Sequence, residues 1–389
     1  MKKIAIVNQR YGIEVNGGSE QYTRVLAEHL KKYYDVDVLT TTARDYSTWK
    51  NEYPVGEESV NGVLVKRFPV KKERGILKFR VVSKLVRVLQ NIRIDLSKWW
   101  VKEQGPYAPE LIEYIAKQKR NYAAIIFVTY LYYTTAAGLA KTEEKAILIP
   151  TAHDEPYIYY PVYKEVFNKP QSILFLTEEE RDLVHGIFKN ETIPNDVIAS
   201  GIDVPETVEP KKFREKYNIE GKYLVYAGRV DYGKNCGEMF RYFEKYKKEN
   251  AADDIQLVVI GKVMMKVPKL SFAHILGYVS EEDKYNAIAG AVAAWMPSEY
   301  ESLSLALLEA MALGIPGIVN GKCNVLKGHC EKSGVGIAYR NYEEFSVGLQ
   351  KLQQTHIQYN DRAVAYVNQN YTWDIVEKKV VNAIENIDK

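Results

Sequence analysis

The stretch that decides the fold class is YLVYAGRVDYGKN, residues 223–235. A run of apolar residues, YLVYAG, ends at a glycine and is followed by a basic turn and then by a helical pattern. A short, continuous apolar run bounded by turn signals is typical of a strand buried in a parallel sheet. The same order of strand, turn and helix recurs along the chain and predicts an α/β fold.

The repeated pattern forms two sets. Before residue 201 the predicted strands are KIAIVN (3–8), VDVLTT (36–41), AAIIFVT (123–129), AILIP (146–150), SILFLT (172–177) and DVIAS (196–200). After residue 222 they are YLVYAG (223–228), IQLVVIG (255–261), AHILGYV (273–279), AVAAWMPS (291–298) and IPGIVN (315–320). Each set predicts a doubly wound, Rossmann-like sheet with helices on both faces.

Two domains also fit the length of 389 residues, because one domain usually takes about 100–200. The segment GIDVPETVEPKK (201–212) has the composition of a linker. We therefore expect an N-terminal domain over 1–204, a C-terminal domain over 205–370, and a final amphipathic helix over 371–389 that crosses back to the first domain. The carboxyl ends of both sheets are expected to face a cleft between the domains, where ligands of open α/β sheets bind.

Composition excludes several classes of protein. The 53 Lys and Arg against 50 Asp and Glu give a net charge of +3, which is too small to indicate nucleic-acid binding. The three cysteines form no C-x-x-C pair, so we expect neither a disulfide framework nor a zinc site. No apolar run approaches the ~20 residues of a membrane span, and the N-terminal run is too short for a signal peptide. We expect a cytoplasmic protein, at most peripheral to the inner face of a membrane.

The turn GRVDYGKN (228–235) fits the phosphate loop G-x-x-x-x-G-K except at its last position. A P-loop needs Ser or Thr there to bind magnesium, and this chain has Asn235, so an NTPase is excluded. Arg229 and Lys234 lie on one turn after Gly228 and could neutralise a diphosphate together. The alternative is an ordinary basic turn in solvent.

The second motif is PSEYESLSLALLEAMALGIP, residues 297–316. Glu301 and Glu309 lie on either side of a strand-to-helix transition. Ser302, Leu303 and Ser304 would supply the backbone N–H groups of a helix N-terminus, which favour a phosphate. Glu309 could accept both hydroxyls of a ribose. The alternative is a capped helix with solvated acids.

Two features of the first domain are weaker alone. Gly17 and Gly18, in NGGSE (16–20), would let the backbone approach a ligand closely, although a tight turn explains them equally well. His153, in PTAHDEP, follows a strand and would point into the cleft, or it is a hydrogen-bonded structural histidine. No G-x-G-x-x-G with a ribose-binding acid is present, which disfavours a nicotinamide dehydrogenase.

Taken in order, these motifs resemble the retaining glycosyltransferases of family 4 (glycosyl transferases group 1), which have the two-domain GT-B fold. The resemblance spans nearly the whole chain and is strongest between Leu224 and Asn320. It implies transfer of a sugar from a nucleotide-diphosphate donor, a UDP-sugar such as UDP-glucose by family habit, to an acceptor hydroxyl of a glycan or lipid-linked molecule. It also implies metal independence, with no cofactor besides the donor substrate.

The resemblance implies roles for single residues. Arg229 and Lys234 would hold the diphosphate, and Glu309 would bind the ribose. Glu301, with the backbone of residues 302–304, would hold the transferred sugar and phosphate. Gly18 would donate a backbone N–H to the diphosphate, and His153 would contact the sugar. The backbone of Val279 would contact the base.

This chain departs from the family at two places. Many members have Phe-Gly where Leu303 and Ser304 stand here, which bears on the identity of the sugar. Cys323, Cys330 and His329 lie in a loop that matches the family loosely, but Cys-x₆-Cys is not a zinc spacing. The D-x-D at Asp35 and Asp37 falls at the start of a predicted strand and is interpreted as accidental.

Residues 71–102 hold ten basic residues and two acidic ones, a local charge of +8. Apolar residues recur there at helical spacing, namely Leu77, Val81, Leu85, Val88, Leu89, Ile92, Leu96 and Trp99. One interpretation is a basic amphipathic helix on an anionic membrane surface. The other is a domain helix whose apolar stripe faces the core.

Two further functions stay open at this stage. A nucleotide-sugar epimerase with the same fold would place acid and base groups about the sugar ring. A non-catalytic nucleotide- or sugar-binding protein would bind UDP without turnover. The leading hypothesis is a retaining, metal-independent hexosyltransferase of polysaccharide or glycoconjugate biosynthesis.

Overall fold

The computed structural model describes residues 1–15, 17–91, 94–355 and 360–387. It contains two compact units, one formed by Met1–Ala199 with Trp373–Lys389 and the other by Ser200–Thr372. Each unit is a Rossmann-like α/β domain built on a largely parallel sheet. The predicted fold class is thereby confirmed. The division falls at residues 199 and 372, where the sequence suggested 204 and 370.

The first unit has an eight-stranded sheet in the order β3-β4-β2-β1-β5-β6-β7-β8. Its strands are β1 (Lys3–Val7), β2 (Asp35–Thr41), β3 (Gly56–Val60), β4 (Val63–Phe68), β5 (Ile125–Val128), β6 (Ala146–Ile149), β7 (Ser172–Phe175) and β8 (Asn195–Val197). All neighbours pair in parallel except β3 and β4, which form an antiparallel hairpin. The sequence did not predict this hairpin, because β3 (GEESV) is a charged, exposed edge strand with little apolar signal.

The helices of the first unit cover both faces of that sheet, as a parallel sheet requires. They are α1 (Gly18–Leu30), α2 (Ile76–Asn91), α3 (Ser97–Gln104), α4 (Pro109–Gln118), α5 (Tyr133–Leu139), α6 (Val162–Asn168), α7 (Glu178–Phe188) and α15 (Trp373–Ile387). The core on one face includes fully buried Phe127, Tyr163 and Trp100.

Helix α15 lies on α1. Trp373 stacks on His29 with 4.1 Å between ring centroids, and Val380 and Ile384 are fully buried. Glu377 accepts hydrogen bonds from Lys32 and Tyr33, each at 2.8 Å. The last helix of the chain is therefore an integral part of the first unit.

Helix α2 does not bury the apolar stripe that the sequence suggested. Leu77, Val81, Leu85 and Val88 are exposed, whereas Phe79, Val82 and Val86 face the core. The interpretation of a core-facing stripe is wrong for those four exposed residues, since α2 has apolar side chains on two opposite faces. Leu89 is half-buried, Leu96 packs against the core, Trp99 is partly exposed, and Ile92 lies outside the described residues.

The second unit has a six-stranded, parallel sheet in the order β11-β10-β9-β12-β13-β14. Its strands are β9 (Tyr223–Ala227), β10 (Gln256–Ile260), β11 (Ala273–Gly277), β12 (Ala293–Met296), β13 (Gly317–Asn320) and β14 (Ile337–Tyr339). Its helices are α8 (Pro210–Tyr217), α9 (Cys236–Glu249), α10 (Glu281–Ala289), α11 (Leu305–Ala312), α12 (Asn324–Ser333), α13 (Tyr342–Thr355) and α14 (Asn360–Asn370). Of these strands, only the short β14 was not predicted.

The strand order locates one position in each sheet where the winding reverses direction. In the second unit this switch point lies between β9 and β12, and in the first it lies between β1 and β5. The loops that leave the carboxyl ends of such strands form the ligand-binding edge of an open α/β sheet. In the second unit those loops are residues 228–235 and 297–304, the two motifs with which the sequence argument began.

No helix in the described part of the chain is long and apolar enough to cross a bilayer.

Candidate active site

The turn between β9 and α9 is organised by Asp231. One carboxylate oxygen of Asp231 accepts a hydrogen bond from Nε of Arg229 at 2.6 Å, and the other accepts one from the backbone N–H of Lys234 at 2.8 Å. Asp residues close turns in this way by binding an amide a few residues further along. The sequence argument missed Asp231, although an Asp three residues before the lysine is a signal for such a turn.

Two glycines allow the close packing behind this turn. A Cβ on Gly261 would lie 2.0 Å from the carbonyl oxygen of Gly228, so that position accepts only glycine. Gly228 donates its backbone N–H to Ile260 at 2.9 Å. The chain therefore leaves β9 directly against the end of β10, and the basic turn is fixed to the edge of the sheet.

Lys234 and Glu301 bring the two motifs together. Nζ of Lys234 lies 2.6 Å from Oε1 of Glu301, and the two side chains are 30% and 15% exposed. Asn235, the residue before α9, donates its side-chain N–H to the carbonyl of Pro297 at 3.2 Å. The basic turn and the acidic loop are thus one structure at the switch point, and its central ion pair is open to solvent.

Helix α11 starts from Ser304, whose backbone is left-handed with φ of 67°. The Ser304 carbonyl accepts the amides of Leu307 and Leu308 at 3.1 and 3.2 Å. The first amides of a helix have no intrahelical acceptor, and they carry partial positive charge. A left-handed backbone favours glycine, so Ser304 occupies a strained position at the start of α11.

His329 supports that loop from beneath. Its Nε2 lies 2.7 Å from the carbonyl oxygen of Leu303, and its Nδ1 lies 2.9 Å from the hydroxyl of Tyr366. Both ring nitrogens therefore have polar neighbours within the protein, which accounts for a histidine between Cys323 and Cys330 without a metal. Ser302 lies in the same loop, between Glu301 and Leu303.

Glu309 lies in the second half of α11 and is held by α10. Its Oε1 accepts hydrogen bonds from Nζ of Lys284 at 2.9 Å and from the hydroxyl of Tyr285 at 3.3 Å. Burial, and then the charge of Glu309, raise the pKa of Tyr285, which keeps its hydroxyl protonated and able to donate. Val279 immediately precedes Ser280, which caps α10 by accepting the amide of Asp283 at 3.0 Å. Helix α10 therefore begins just after Val279 and supplies both side chains that bind the carboxylate of Glu309.

In the first unit, Gly17 and Gly18 form the start of α1. A Cβ on Gly17 would lie 2.1 Å from a carboxylate oxygen of Glu20, whereas the space beside Gly18 is open. Glu20 is buried and accepts hydrogen bonds from Gln9 at 2.9 Å and from Nε of Arg10 at 3.0 Å. The glycine at 17 is needed because this buried carboxylate lies over it.

His153 lies beyond β6, with Nε2 3.6 Å from Oε1 of Glu155. Thr129 and Thr151, at the ends of β5 and β6, have positive φ angles of 72° and 49°, which are unusual for β-branched residues. Such strained backbone is concentrated at functional sites.

The segment that carries His153 is held by Glu180, at the start of α7. This carboxylate accepts the backbone N–H of Ala152 and that of Leu176, the latter at 2.6 Å. Burial raises the pKa of Glu180 to about 8. The sequence argument missed Glu180 because acidic residues at a helix start are ordinary.

Nothing in the described residues groups three or more His, Cys, Asp or Glu side chains around a common point. The three cysteines are free and buried, and burial raises the pKa of Cys323 to about 11 and that of Cys330 to about 12. Asp37 of the D-x-D lies within 3.1 Å of Lys3 and accepts the hydroxyl of Tyr122 at 2.7 Å. That carboxylate therefore serves the packing of the first unit.

Residues 209–363 match the family described as "Glycosyl transferases group 1". An uncharacterized glycosyltransferase of Methanocaldococcus jannaschii is 23% identical over 98% of this chain and 97% of its own length. Among solved structures, sucrose-phosphate synthase from Thermosynechococcus elongatus superposes with a TM-score of 0.73 at 15% identity, covering 100% of this chain and 99% of that one.

HepE of Anabaena, solved in complex with UDP-glucose, superposes with a TM-score of 0.68 at 13% identity, covering 99% of this chain and all of that one. At these identities the structural comparisons establish the fold, and the family match covers most of the second unit. This chain therefore resembles the group 1 glycosyltransferases in the sequence of its second unit, and it has the GT-B fold over its full length.

Proposed function

We propose that this chain is a retaining glycosyltransferase that moves a sugar from a nucleotide-diphosphate donor to an acceptor hydroxyl in polysaccharide or glycoconjugate assembly. The observation that carries the proposal is the Lys234–Glu301 ion pair at the β9/β12 switch point. It sets a solvent-accessible cation beside the N-terminus of α11, where a departing diphosphate needs positive charge. This pair lies at the ligand-binding edge of the sheet and is accessible to solvent, so a ligand could reach its lysine there.

The proposed chemistry requires charge stabilisation on one side of the breaking bond. When the bond between the sugar and the diphosphate breaks, negative charge grows on the phosphate oxygens and the sugar becomes oxocarbenium-like. Lys234, Arg229 and the amides at the start of α11 would stabilise the phosphate charge where it develops. Protein cations would then supply the charge that a metal supplies elsewhere, so we expect activity without divalent cations.

Lys234 would exchange partners when the donor binds. Its present partner, Glu301, is a carboxylate that would be released to hydrogen-bond the hydroxyls of the transferred sugar. Arg229 would keep its contact with Asp231, which holds its guanidinium at this turn. The exchange is favourable because a diphosphate offers more negative charge than one carboxylate.

The nucleoside end of the donor would lie along α10 and α11. In the described ranges Glu309 has partners at Oε1 only, which leaves Oε2 for the hydroxyls of a ribose. Lys284 and Tyr285 fix the orientation of that carboxylate. The backbone of Val279 would meet the base. Uracil is the first candidate, because HepE was solved with UDP-glucose.

The first unit would contribute Gly17 and Gly18 to the diphosphate and His153 to the sugar. The open space beside Gly18 and the strained ends of β5 and β6 support this assignment. We assign no enzyme nucleophile: retention would follow from attack of the acceptor on the face from which the diphosphate leaves.

The proposal is tested by donor hydrolysis and by calorimetric titration with UDP, GDP and ADP. Lys234→Ala is expected to abolish detectable hydrolysis and to weaken UDP binding while the protein stays folded. Lys216→Ala is the matched control, because Lys216 forms a similar pair with Asp283 at 2.7 Å between α8 and α10. Equal hydrolysis by wild type and Lys234→Ala would refute the assignment.

The same samples separate the two alternative functions. An epimerase of this fold would convert the donor to its epimer with no acceptor present. A binding protein would titrate with UDP and show no turnover with any acceptor. The joint presence of Arg229, Lys234, Glu301 and Glu309 in ordered contacts favours the transferase over a site that has lost activity.

A further inference from the structure

The outward face of α2 is apolar. Leu77, Val81, Leu85 and Val88 are 77%, 67%, 43% and 54% exposed and follow one another at spacings of four, four and three residues. These spacings place them on one side of the helix. We call these four residues the outer stripe of α2.

The outer stripe is not needed to hold α2 in place. The opposite face packs on the core through Val82 and Val86, and Phe79 lies 5.7 Å from Trp100 between ring centroids. The hydroxyl of Ser83 also accepts the indole N–H of Trp100 at 2.9 Å. A helix anchored in this way normally carries polar residues outside, so four large aliphatic side chains there call for a partner.

The charge around the outer stripe identifies the partner. Helix α2 (ILKFRVVSKLVRVLQN) carries four basic residues and no acidic one. Arg80, Lys84 and Arg87 flank the stripe on one side, and α3, which packs against α2, adds exposed Lys98 beside partly exposed Trp99. The local charge over residues 71–102 is +8, against +3 for the chain.

We propose that the outer stripe of α2, together with Trp99, docks onto the surface of an anionic lipid bilayer. The aliphatic side chains would enter the boundary between headgroups and acyl chains, and the flanking Arg and Lys would bind anionic headgroups. The helix has 16 residues, about 24 Å of length, which suits a helix lying in the plane of the surface.

A second copy of the chain fits this face less well. In a symmetric dimer the same patch would face itself, and two strongly basic surfaces would repel each other. An anionic bilayer neutralises these charges and buries the stripe at the same time. The inference does not rest on sugar transfer, and it would bring the enzyme to lipid-linked acceptors if the proposed function holds.

The test is co-flotation of the full chain with vesicles of phosphatidylcholine, alone or with about one third phosphatidylglycerol. We expect flotation with the anionic vesicles, weakening as salt is added, and little with phosphatidylcholine alone. The triple variant Leu77→Ser, Val81→Ser, Val88→Ser should bind at least about tenfold more weakly. Arg80→Glu with Lys84→Glu should bind more weakly still at low salt, and it serves if the triple variant fails to fold.

The matched control is Val347→Ser, which changes another exposed aliphatic residue on a helix, α13 of the second unit. Its vesicle binding should equal that of wild type. UDP titration of every variant separates this proposal from the previous one, because the α2 variants should keep wild-type UDP affinity. Absence of vesicle binding by a chain that still binds UDP would overturn the membrane proposal alone. Sedimentation showing a dimer that the triple variant dissociates would overturn it in favour of self-association.

Discussion

Two ion pairs at the switch points of the two sheets have the same chemistry and opposite surroundings. Arg10 and Glu20 lie after β1 in the first unit, with side chains 6% and 5% exposed. Lys234 and Glu301 lie after β9 and β12 in the second unit, with side chains 30% and 15% exposed. The buried Arg10–Glu20 pair fixes a turn, whereas the more exposed Lys234–Glu301 pair can open to a ligand.

The reason is desolvation. Removing one partner of a buried pair leaves a charge with neither water nor a counter-charge, which costs about 3–5 kcal/mol. A pair in contact with water costs little to open, typically below about 1 kcal/mol. A diphosphate can therefore compete for Lys234, whereas Arg10 and Glu20 stay together and shape the turn at Gly17.

The largest expected effect is on stability, from Glu20→Ala. We expect the free energy of unfolding to fall by about 3–5 kcal/mol, because Arg10 keeps its charge in a buried place. Urea unfolding monitored by circular dichroism measures it. Glu301→Ala is the matched comparison and should cost no more than about 1 kcal/mol. If both variants lost the same free energy of unfolding, the two pairs would not differ in their contribution to stability.

The next effect is on catalysis, from Lys234→Ala. We expect donor hydrolysis to fall by at least roughly 100- to 1,000-fold, below the detection limit, since a fixed charge aimed at the leaving group is lost. The melting temperature should stay close to that of wild type, because the pair is solvent-accessible. A large loss of stability with little loss of turnover would place Lys234 in the same class as Arg10.

Glu180 is a second buried acidic residue of the first unit, and its partners are backbone amides where Glu20 has an arginine. Burial raises its pKa from 4.5 in the unfolded chain to about 8 in the folded protein. Below pH 4.5 both states are protonated; as the pH rises towards 8, the unfolded state loses its proton first and folding becomes less favourable. We expect the free energy of unfolding to decrease between about pH 5 and pH 8.

Glu180→Gln tests that expectation, because glutamine has no proton to lose in this range. The stability of the variant should depend less on pH over the same interval, as measured by urea unfolding. An identical pH profile for wild type and variant would show that Glu180 does not titrate as described.

The smallest effect concerns the backbone under the Lys234–Glu301 pair. Ser304 is held at φ of 67°, and a non-glycine residue there costs about 1 kcal/mol. Ser304→Gly should therefore raise the free energy of unfolding by up to about 1 kcal/mol, measurable by thermal and urea unfolding. A loss of stability would mean that the serine side chain contributes more than the strain it imposes.

The sequence predicted the strands and the charged residues of this site, but it did not predict the hydrogen bonds that connect them. Strands β9 and β12 were visible as apolar runs, and the cations and carboxylates beside them were visible as motif residues, because both signals are local. The hydrogen bond between Lys234 and Glu301, which joins the two loops, could not be predicted because these residues are 67 positions apart in the sequence. Asp231, His329 and Glu180 act through backbone groups, which a residue pattern does not display.

Helix α2 shows a second limit. Its apolar spacing predicted a helix correctly, but the periodicity marks two faces, and only packing decides which one is buried. Strand β3 was missed for the opposite reason, because an exposed edge strand rich in glutamate has no need of an apolar run. Strand β4 (VLVKRF) was missed although its buried and half-buried residues alternate. Helix α15 has a single apolar face, and there the pattern and the packing agree.

The most direct test of the central claim is a crystal structure of the protein with UDP bound. The account predicts that the diphosphate lies against Arg229, Lys234 and the first amides of α11, that Lys234 has left Glu301, and that the ribose hydroxyls bind Glu309. UDP bound elsewhere, with the Lys234–Glu301 pair still closed, would contradict it.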